Sequence, residues 1–264
     1  MNEISGDLLR EYAGRQKLPA ALVEKDYALS VALLFISKVP IAQNLVFKGG
    51  TALRKAYFSD YRLSADLDFS SSSTDGERIK LGFFGLQGKK FEGISFKQME
   101  DKSISSKDSL NLRAKYQSKI STIEGKAHIE SIKIEINFKN RVLLDPSKRR
   151  IKSPSEYQLE EFNMPTMQLE EILAEKIHAI FNRVKPRDLY DLHYLLESGC
   201  RFDLPLVNKK LSLLGRKFEF APFSARVMDL AGRWKIDMQG LLPAIPSFEK
   251  IANATLMEIE KQSA

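Results

Sequence analysis

The sequence predicts an α+β fold, with a β-rich first part followed by a helical second part. Apolar and polar residues alternate regularly over residues 132–138, which is typical of a strand with one buried face. After three prolines between residues 146 and 165, the apolar spacing becomes helical. We therefore expect two lobes, residues 1–155 with an N-terminal helix and a sheet, and residues 156–264 with helices.

The composition excludes several classes of protein. A chain of 264 residues with 43% hydrophobic residues can bury a core, as one large domain or as two lobes. The longest nearly apolar run, Ala28–Ile36, is far shorter than the ~20 residues of a membrane span. The first residues lack the features of a signal peptide. Cys200 is the only cysteine, which excludes an intrachain disulfide and a cysteine metal site. We expect a cytoplasmic protein that does not bind membranes.

The net charge of +7 is concentrated in the middle of the chain. Residues 77–152 hold 18 basic and 9 acidic residues, whereas residues 1–76 hold 9 of each and residues 153–264 hold 14 basic and 16 acidic residues. Either these cations form a solvated surface, or they form a phosphate-binding strip for nucleic acid. The candidates are Lys89, Lys90, Arg113, Lys115, Lys119, Lys126, Lys148, Arg149, Arg150 and Lys152.

The first 60 residues predict a helix, a strand, a glycine turn and a second helix. Residues 19–36 have apolar side chains at helical spacing, which indicates an amphipathic helix beginning near Pro19. The apolar residues 45–47 predict a strand that runs into Gly49 and Gly50, and residues 52–57 again favour a helix. Such a turn is either an ordinary tight turn or a place where backbone amides receive a phosphate.

Further strands are expected near residues 66–69, 81–86, 91–98 and 127–138. In the first of them Leu67 and Phe69 alternate with Asp66 and Asp68, so both carboxylates point away from the core. A pair of this kind is often only a solvated strand edge, but it can also hold Mg²⁺ for phosphoryl or nucleotidyl transfer.

A two-metal site needs a third carboxylate, and Glu135 is the best candidate. It lies in the middle of the polar face of the alternating strand over residues 132–138. The alternative is an exposed strand residue that pairs with a lysine.

The helix predicted over Met167–Val184 places Lys176 among apolar side chains. An unpaired buried lysine is costly, so Lys176 must reach the edge of the helix or contact an anion. Asp191, in the following helix, is a possible partner for Lys176 or for a nucleotide-bound group. Asp188 lies in the first turn of that helix, where capping and the helix dipole explain an acidic residue.

Four separated blocks of the sequence resemble the AbiEii/AbiGii toxin group of nucleotidyltransferases, which includes the MenT toxins. The blocks are VEKDYALSVALLF, FKGGTALRKAYF, YRLSADLDFS and EEILAEKIHAIFNRVKPRDLYDL, in the order of the family. The resemblance implies a DNA polymerase β-like nucleotidyltransferase fold with a mixed sheet and a helical C-terminal lobe that completes the active site.

The resemblance also implies roles for particular residues. The predicted catalytic residues are Asp66, Asp68, Lys176 and Asp191. The residues predicted to bind the nucleotide are Lys48, Gly49, Gly50, Thr51, Arg62, Ser64 and Asp188. The metal ligands are Asp66 and Asp68, together with Glu135, which is inferred from the strand alternation and not from the family motifs.

The leading functional hypothesis is a Mg²⁺-dependent toxin that transfers a nucleoside monophosphate from a nucleoside triphosphate to RNA. The resemblance implies the 3′ end of tRNA as acceptor, a block of translation, and a cognate antitoxin as partner. One alternative keeps the chemistry but modifies a protein or a small molecule. The other is a non-catalytic relative that only binds an antitoxin.

Overall fold

A computed structural model describes residues 4–71, 73, 75–103, 108–123, 126–139 and 141–263. The chain divides into two units: the first runs to Val142 and includes Pro146–Thr166, and the second comprises Leu143–Asp145 and the chain from Met167 onward. The boundary expected at residue 155 precedes a strand that belongs to the sheet of the first unit. Among the described residues, no helix is both long and apolar enough to cross a membrane.

The first unit contains a mixed sheet of eight strands in its described part. The strands are β1 Val46–Lys48, β2 Asp66–Ser70, β3 Lys90–Phe91, β4 Ile94–Asp101, β5 Ser109–Ile123, β6 Lys126–Asn137, β7 Ser147–Ile151 and β8 Phe162–Thr166. Their order is β3-β4-β5-β6-β2-β1-β8-β7. The pairs β2/β6 and β1/β8 are parallel and the other pairs are antiparallel. The short β2 therefore lies at the centre of the sheet.

Helices cover the apolar face of this sheet. They are α1 Gly6–Gln16, α2 Ala20–Ser37, α3 Gly49–Ala52, which continues as a π-helical turn over Leu53–Tyr57, and α4 Gly76–Phe84. Single turns of 3₁₀ helix lie at Pro40–Asn44 and Ser155–Tyr157. The main core packs α2 against inward-facing residues of β1, β2, β5 and β6.

Helix α2 is buried on nearly all sides, so the prediction of an amphipathic helix was wrong. It contacts α1, β5, β6 and β8, which surround it. Its two acidic residues, Glu24 and Asp26, are also buried. Glu24 accepts hydrogen bonds from the Ser118 hydroxyl at 2.6 Å and from the Ile120 amide at 3.2 Å, where the register of β5 against β6 shifts.

The strand predicted at residues 81–86 is mostly helix α4. The Asp75 carboxylate accepts a hydrogen bond from the Arg78 amide at 2.9 Å and caps this helix, whose buried residues Ile79 and Phe83 are one turn apart. The expected strand at 91–98 is found as β3 and β4, and that at 127–138 as β6.

The second unit is helical in its described part. Its helices are α5 Leu169–Asn182, α6 Pro186–Glu197, α7 Leu204–Leu211, α8 Phe220–Met228, α9 Trp234–Met238 and α10 Phe248–Ser263, with 3₁₀ turns at Ser212–Leu214 and Ala231–Arg233. Helix α5 buries most of the predicted apolar arc and packs on α6, α7 and α8. The expected α+β class, a sheet followed by helices, is confirmed.

Candidate active site

The aspartate pair lies on the polar face of β2. Leu67 and Phe69 are fully buried, whereas Asp66 and Asp68 on the opposite face are partly exposed. Strand alternation therefore places both carboxylates on one face at the centre of the sheet, as the sequence predicts.

Strand register brings two further predicted site residues beside Asp68. Lys48 of β1 lies opposite Asp68 on one side, and Glu135 of β6 lies opposite it on the other. Neighbouring strands are ~4.8 Å apart and paired residues share a face. Lys48, Asp68 and Glu135 therefore form one row across three strands.

The glycine turn touches this row directly. Gly49 has φ +76°, a backbone conformation that side chains disfavour, and a Cβ atom at this position would overlap Oδ2 of Asp68. A Cβ on Gly50 would lie 2.7 Å from Nη2 of Arg62 and 3.3 Å from Oγ of Ser64. Gly49 is thus required by its backbone conformation and by the close approach of Asp68, and Arg62 and Ser64 lie against Gly50. Their predicted position beside the phosphates stays a prediction.

Thr51 has a structural task at the start of the same helix. Its buried hydroxyl donates a hydrogen bond of 2.5 Å to the carbonyl oxygen of Asp66. This bond ties α3 to the first residue of β2. The predicted contact of Thr51 with a nucleotide stays a prediction.

Replacing Gly49 by Ala is expected to reduce nucleotide transfer roughly 10–100-fold, because the new methyl group displaces the Asp68 carboxylate. Initial rates under saturating triphosphate measure this effect. Gly88→Ala is the matched control, since Gly88 also has positive φ, at +75°, but has no atom near its Cβ position. Equal losses of transfer activity in both variants would show that backbone strain, and not displacement of Asp68, causes the effect.

A buried ionic network that the sequence did not predict supports the turn. Asp26 of α2 accepts hydrogen bonds from Lys55 Nζ at 3.0 Å and from the Tyr157 hydroxyl at 3.1 Å. Lys55 Nζ also lies 2.8 Å from Oγ of Ser30. Burial raises the pKa of Asp26, but Lys55 and Arg54 outweigh burial and hold this pKa below its usual value. Charged residues inside the apolar blocks ALVEKDYALS and LRKAYF were the signal for this network.

The network extends to the segment before β2. Arg54 donates a hydrogen bond to the carbonyl oxygen of Tyr61. Arg62, which is buried, donates one of 2.9 Å to the carbonyl oxygen of Leu63. Arg54 therefore ties the helix after the glycine turn to the segment leading to Asp66, whereas the bond of Arg62 lies within that segment.

The donor set fits a hard divalent cation that arrives with phosphates. Within the described ranges, no group of three or more His, Cys, Asp or Glu side chains is arranged to hold a metal ion. Magnesium, however, is usually bound by one or two carboxylates together with substrate phosphates and water. Asp66 and Asp68 supply two such carboxylates beside the glycine turn. The side chain of Glu135 pairs with Lys133 at 3.1 Å, as in the alternative considered for it, and its role as third ligand stays a prediction.

In the helical unit, Lys176 lies between two aspartates. Its Nζ is 2.9 Å from Oδ1 of Asp188 and 2.7 Å from Oδ2 of Asp191, and both aspartate side chains are fully buried. Of the two alternatives that the sequence left open for Lys176, the structure shows contact with an anion, here two carboxylates. Arg183 adds a second cation, with Nε 2.9 Å from Oδ2 of Asp188.

Asp188 forms ion pairs with Lys176 and Arg183, and its side chain does not cap α6 as the sequence indicated. Burial raises its pKa, but Lys176 and Arg183 outweigh burial and hold that pKa below the usual value of an aspartate. The residue before α6 is Lys185, and no side chain caps this helix. Asp188 is therefore the centre of an ion cluster with two cations.

A second buried ion cluster joins α5 to α7 and was also missed. Lys210 Nζ lies 2.6 Å from Glu171 and 3.1 Å from Glu175. The Glu171 carboxylate accepts hydrogen bonds from the amides of Leu143 and Leu144, at 2.8 and 2.9 Å. Glu171 thereby ties the segment Leu143–Asp145 to the helical unit.

The basic residues of the middle third lie on different surfaces of the first unit. Arg113 of β5, Lys133 of β6 and Asp66 form one row on the polar face of the sheet. Lys148 and Arg150 lie on the same face in the edge strand β7, as the pairing of β7 with β8 and of β8 with β1 requires.

Other candidates from the basic middle third do not join that face. The Arg149 guanidinium stacks 4.3 Å from the ring centroid of Tyr57, and Lys89 lies 5.1 Å from that of Phe35. Lys119 donates a hydrogen bond of 3.0 Å to the carbonyl oxygen of Ile4. The structure therefore replaces the single strip considered from the sequence by two groups of cations on the face of the aspartates. Arg113 and Lys133 lie on one side of the aspartates, and Lys148 and Arg150 lie on the other.

Comparisons with known proteins identify the fold and the family of this chain. A search of curated protein sequences found no match. Among solved structures, MenT4, a nucleotidyltransferase toxin from Mycobacterium tuberculosis H37Rv, is similar with a TM-score of 0.73 and 22% sequence identity. The similarity covers 98% of this chain and 90% of that chain, and it supports the expected nucleotidyltransferase fold.

The family comparison is more specific. The model described as "Nucleotidyl transferase AbiEii toxin, Type IV TA system" matches residues 32–254. This range contains the glycine turn, the aspartate pair and the ion cluster around Lys176. The chain therefore belongs to the AbiEii family of nucleotidyltransferase toxins.

Proposed function

We propose that this nucleotidyltransferase toxin transfers a nucleoside monophosphate to RNA, at the 3′ end of tRNA, with Mg²⁺ as its metal, and thereby blocks translation. Membership of the family supports nucleotidyl transfer, a nucleoside triphosphate substrate, use of a divalent metal and a cognate antitoxin. The RNA acceptor, the choice of magnesium and the block of translation are the proposed part.

The observation that carries the proposal is the contact between the glycine turn and the aspartate row. Gly49 lies against the Asp68 carboxylate, and Gly50 lies against Arg62 and Ser64. A triphosphate bound at the turn would have backbone amides and a guanidinium on one side and two carboxylates on the other. This arrangement suits phosphates that are bridged to carboxylates by a cation.

In the proposed reaction, a hydroxyl of the acceptor attacks the α-phosphorus of the triphosphate. A new phosphorus–oxygen bond forms, the bond to the β-phosphate oxygen breaks, pyrophosphate leaves and the hydroxyl proton is released. When bound, Mg²⁺ would neutralise charge on the phosphates. Asp66 and Asp68 would hold it, while the amides of Gly49 and Gly50 and the side chain of Arg62 orient the phosphates.

A labelling experiment tests the proposal. Each nucleoside triphosphate, labelled at the α-phosphate, is incubated with the protein, Mg²⁺ and either total RNA or total protein, with Asp66→Asn as control. Label in tRNA that depends on Asp66 supports the proposal. Label in protein or in a small molecule would show that the acceptor belongs to another substrate class and would contradict the proposed RNA acceptor.

Replacing both Lys148 and Arg150 by Gln is expected to weaken RNA binding and to spare triphosphate binding. Each lost phosphate contact should lower the slope of log affinity against log salt concentration by about one unit. Both side chains lie on the face that carries the aspartates. Filter binding at several salt concentrations measures the slope.

The matched control removes the same charge from the opposite edge of the sheet. Lys89 and Lys90 lie at the start of the β3 edge and are exposed. Their double replacement by Gln should leave the slope nearly unchanged. Equal decreases in the two double variants would show that only the net charge of the protein attracts RNA.

A further inference from the structure

The side chain of Lys133 occupies a special position beside the proposed metal site. It lies across from Asp66 on the polar face of the sheet, and its Nζ is 3.1 Å from Oε2 of Glu135 on the same strand. Glu135 in turn lies across from Asp68. The Lys133 ammonium therefore contacts Glu135, from the row that contains Asp66, while Glu135 lies in the row of Asp68.

We propose that Lys133 is a built-in competitor of the metal cation at Glu135, so that the site binds a divalent metal weakly until a triphosphate is present. This inference rests on the proposed function of the aspartate pair. It assigns to Lys133 the role of setting when the metal binds, not a contact with the reacting atoms.

The Glu135 carboxylate is already paired with a cation. This carboxylate would complete a three-carboxylate donor set, but it is paired with the Lys133 ammonium. In the described part of the chain, no three acidic or other metal-binding side chains are arranged around a common point. A metal that uses Glu135 must first displace Lys133.

Cations on the neighbouring strands also oppose the binding of a metal ion. Arg113 lies across from Lys133, and Lys48 lies across from Asp68, so cations flank the carboxylates in both rows. Positive charges at such short range disfavour a divalent cation. The phosphates of a bound triphosphate add negative charge at the same place and reverse this balance.

The exposure of Lys133 makes the pair easy to break. The Lys133 side chain is 51% exposed and that of Glu135 is 37% exposed. Exposed ion pairs contribute little to stability, so Lys133 can move to solvent and its replacement should leave the fold intact. The pair is thus suited to exchange with a metal.

The test measures Mn²⁺ binding without nucleotide, by the electron paramagnetic resonance signal of the free ion. Lys133→Met should bind Mn²⁺ roughly three- to tenfold more tightly than the unchanged protein. Lys115→Met is the matched control, since it removes the same charge from the sheet but its partner, at 2.5 Å, is Glu100. Its affinity should stay unchanged.

Two more variants separate the possible outcomes. In a Glu135→Gln background, Lys133→Met should have a smaller effect, because the competition at Glu135 is already removed. Any of three results would overturn the inference. The gain in Mn²⁺ affinity could be the same in both backgrounds, Lys133→Met could bind Mn²⁺ as tightly as the unchanged protein, or neither protein could bind Mn²⁺ detectably. Asp66→Asn separates failure of the inference about Lys133 from failure of the proposed function. If Asp66→Asn leaves Mn²⁺ binding intact, the metal does not bind at the aspartate pair.

Discussion

Replacing Asp68 by Asn is expected to lower nucleotide transfer by at least about 10³-fold, and Asp66→Asn should do the same. Each substitution removes a carboxylate charge that would hold the metal, which supplies several kcal/mol to the transition state. The side chains keep their size, and both positions are only partly buried. Transfer of an α-phosphate label measures the loss.

The fold of these variants should be unchanged, and thermal unfolding serves as the control. Asp108→Asn is the matched substitution, because Asp108 is an exposed acid of the same unit whose ion pair with Lys139 spans 3.3 Å. It should retain full activity. Full activity of either Asp66→Asn or Asp68→Asn would refute the assignment of the aspartate pair to the metal site.

Replacing Lys176 by Met is expected to lower the free energy of unfolding at pH 7 by about 3–5 kcal/mol. The substitution removes a cation 2.9 Å from Asp188 and 2.7 Å from Asp191, while both carboxylates stay buried. Breaking a buried ion pair by removing one partner typically has this cost. Chemical denaturation followed by circular dichroism measures it, and Lys261→Met, which loses an exposed pair, should change little.

The decrease in the free energy of unfolding caused by Lys176→Met should depend on pH. In the unchanged protein the pKa of Asp188 is depressed, so its contribution to stability is present above the unfolded value of about 3.9 and is lost as the pH falls through the lower folded value. In Lys176→Met, the largest charge that lowers the pKa of Asp188 is lost while Arg183 stays, so the pKa of Asp188 rises and its protonation relieves part of the buried charge. The deficit relative to the unchanged protein should therefore shrink between pH 7 and pH 4.

The same variant tests the predicted role of Lys176 with the nucleotide. A Lys176→Met protein of normal stability that no longer binds a triphosphate would assign Lys176 to the nucleotide. A destabilised protein that still binds it with normal affinity at low temperature would assign Lys176 to the ion cluster.

Several parts of the site could be predicted from local pattern because they depend on neighbours in the chain. Alternation in ADLDF placed Asp66 and Asp68 on one face, and the double glycine predicted a turn between a strand and a helix. Helical spacing placed Lys176 within the apolar arc of its helix, where a lysine must reach the edge or contact an anion. In each of these places the period of the backbone determines the direction of the side chain.

Other parts depend on segments that are distant in the sequence. The row of Lys48, Asp68 and Glu135 follows from the register of three strands. The alternation within one strand does not show how that strand pairs with its neighbours. The pairing of Asp26 with Lys55 joins residues 29 positions apart. The alternation that correctly predicted β6 does not show that Lys133 lies across from Asp66.

The positions of the cations show most clearly which features the sequence determines and which depend on the tertiary structure. The amino-acid order alone determined that the excess of cations lies in residues 77–152, and that this segment is partly β. Only the tertiary structure decided which cations reach the face of the aspartates: Lys133 and Arg150 do, whereas Arg149 stacks on Tyr57. The physical reason is that a strand sends successive side chains to opposite faces, and only pairing between strands defines which face carries the site.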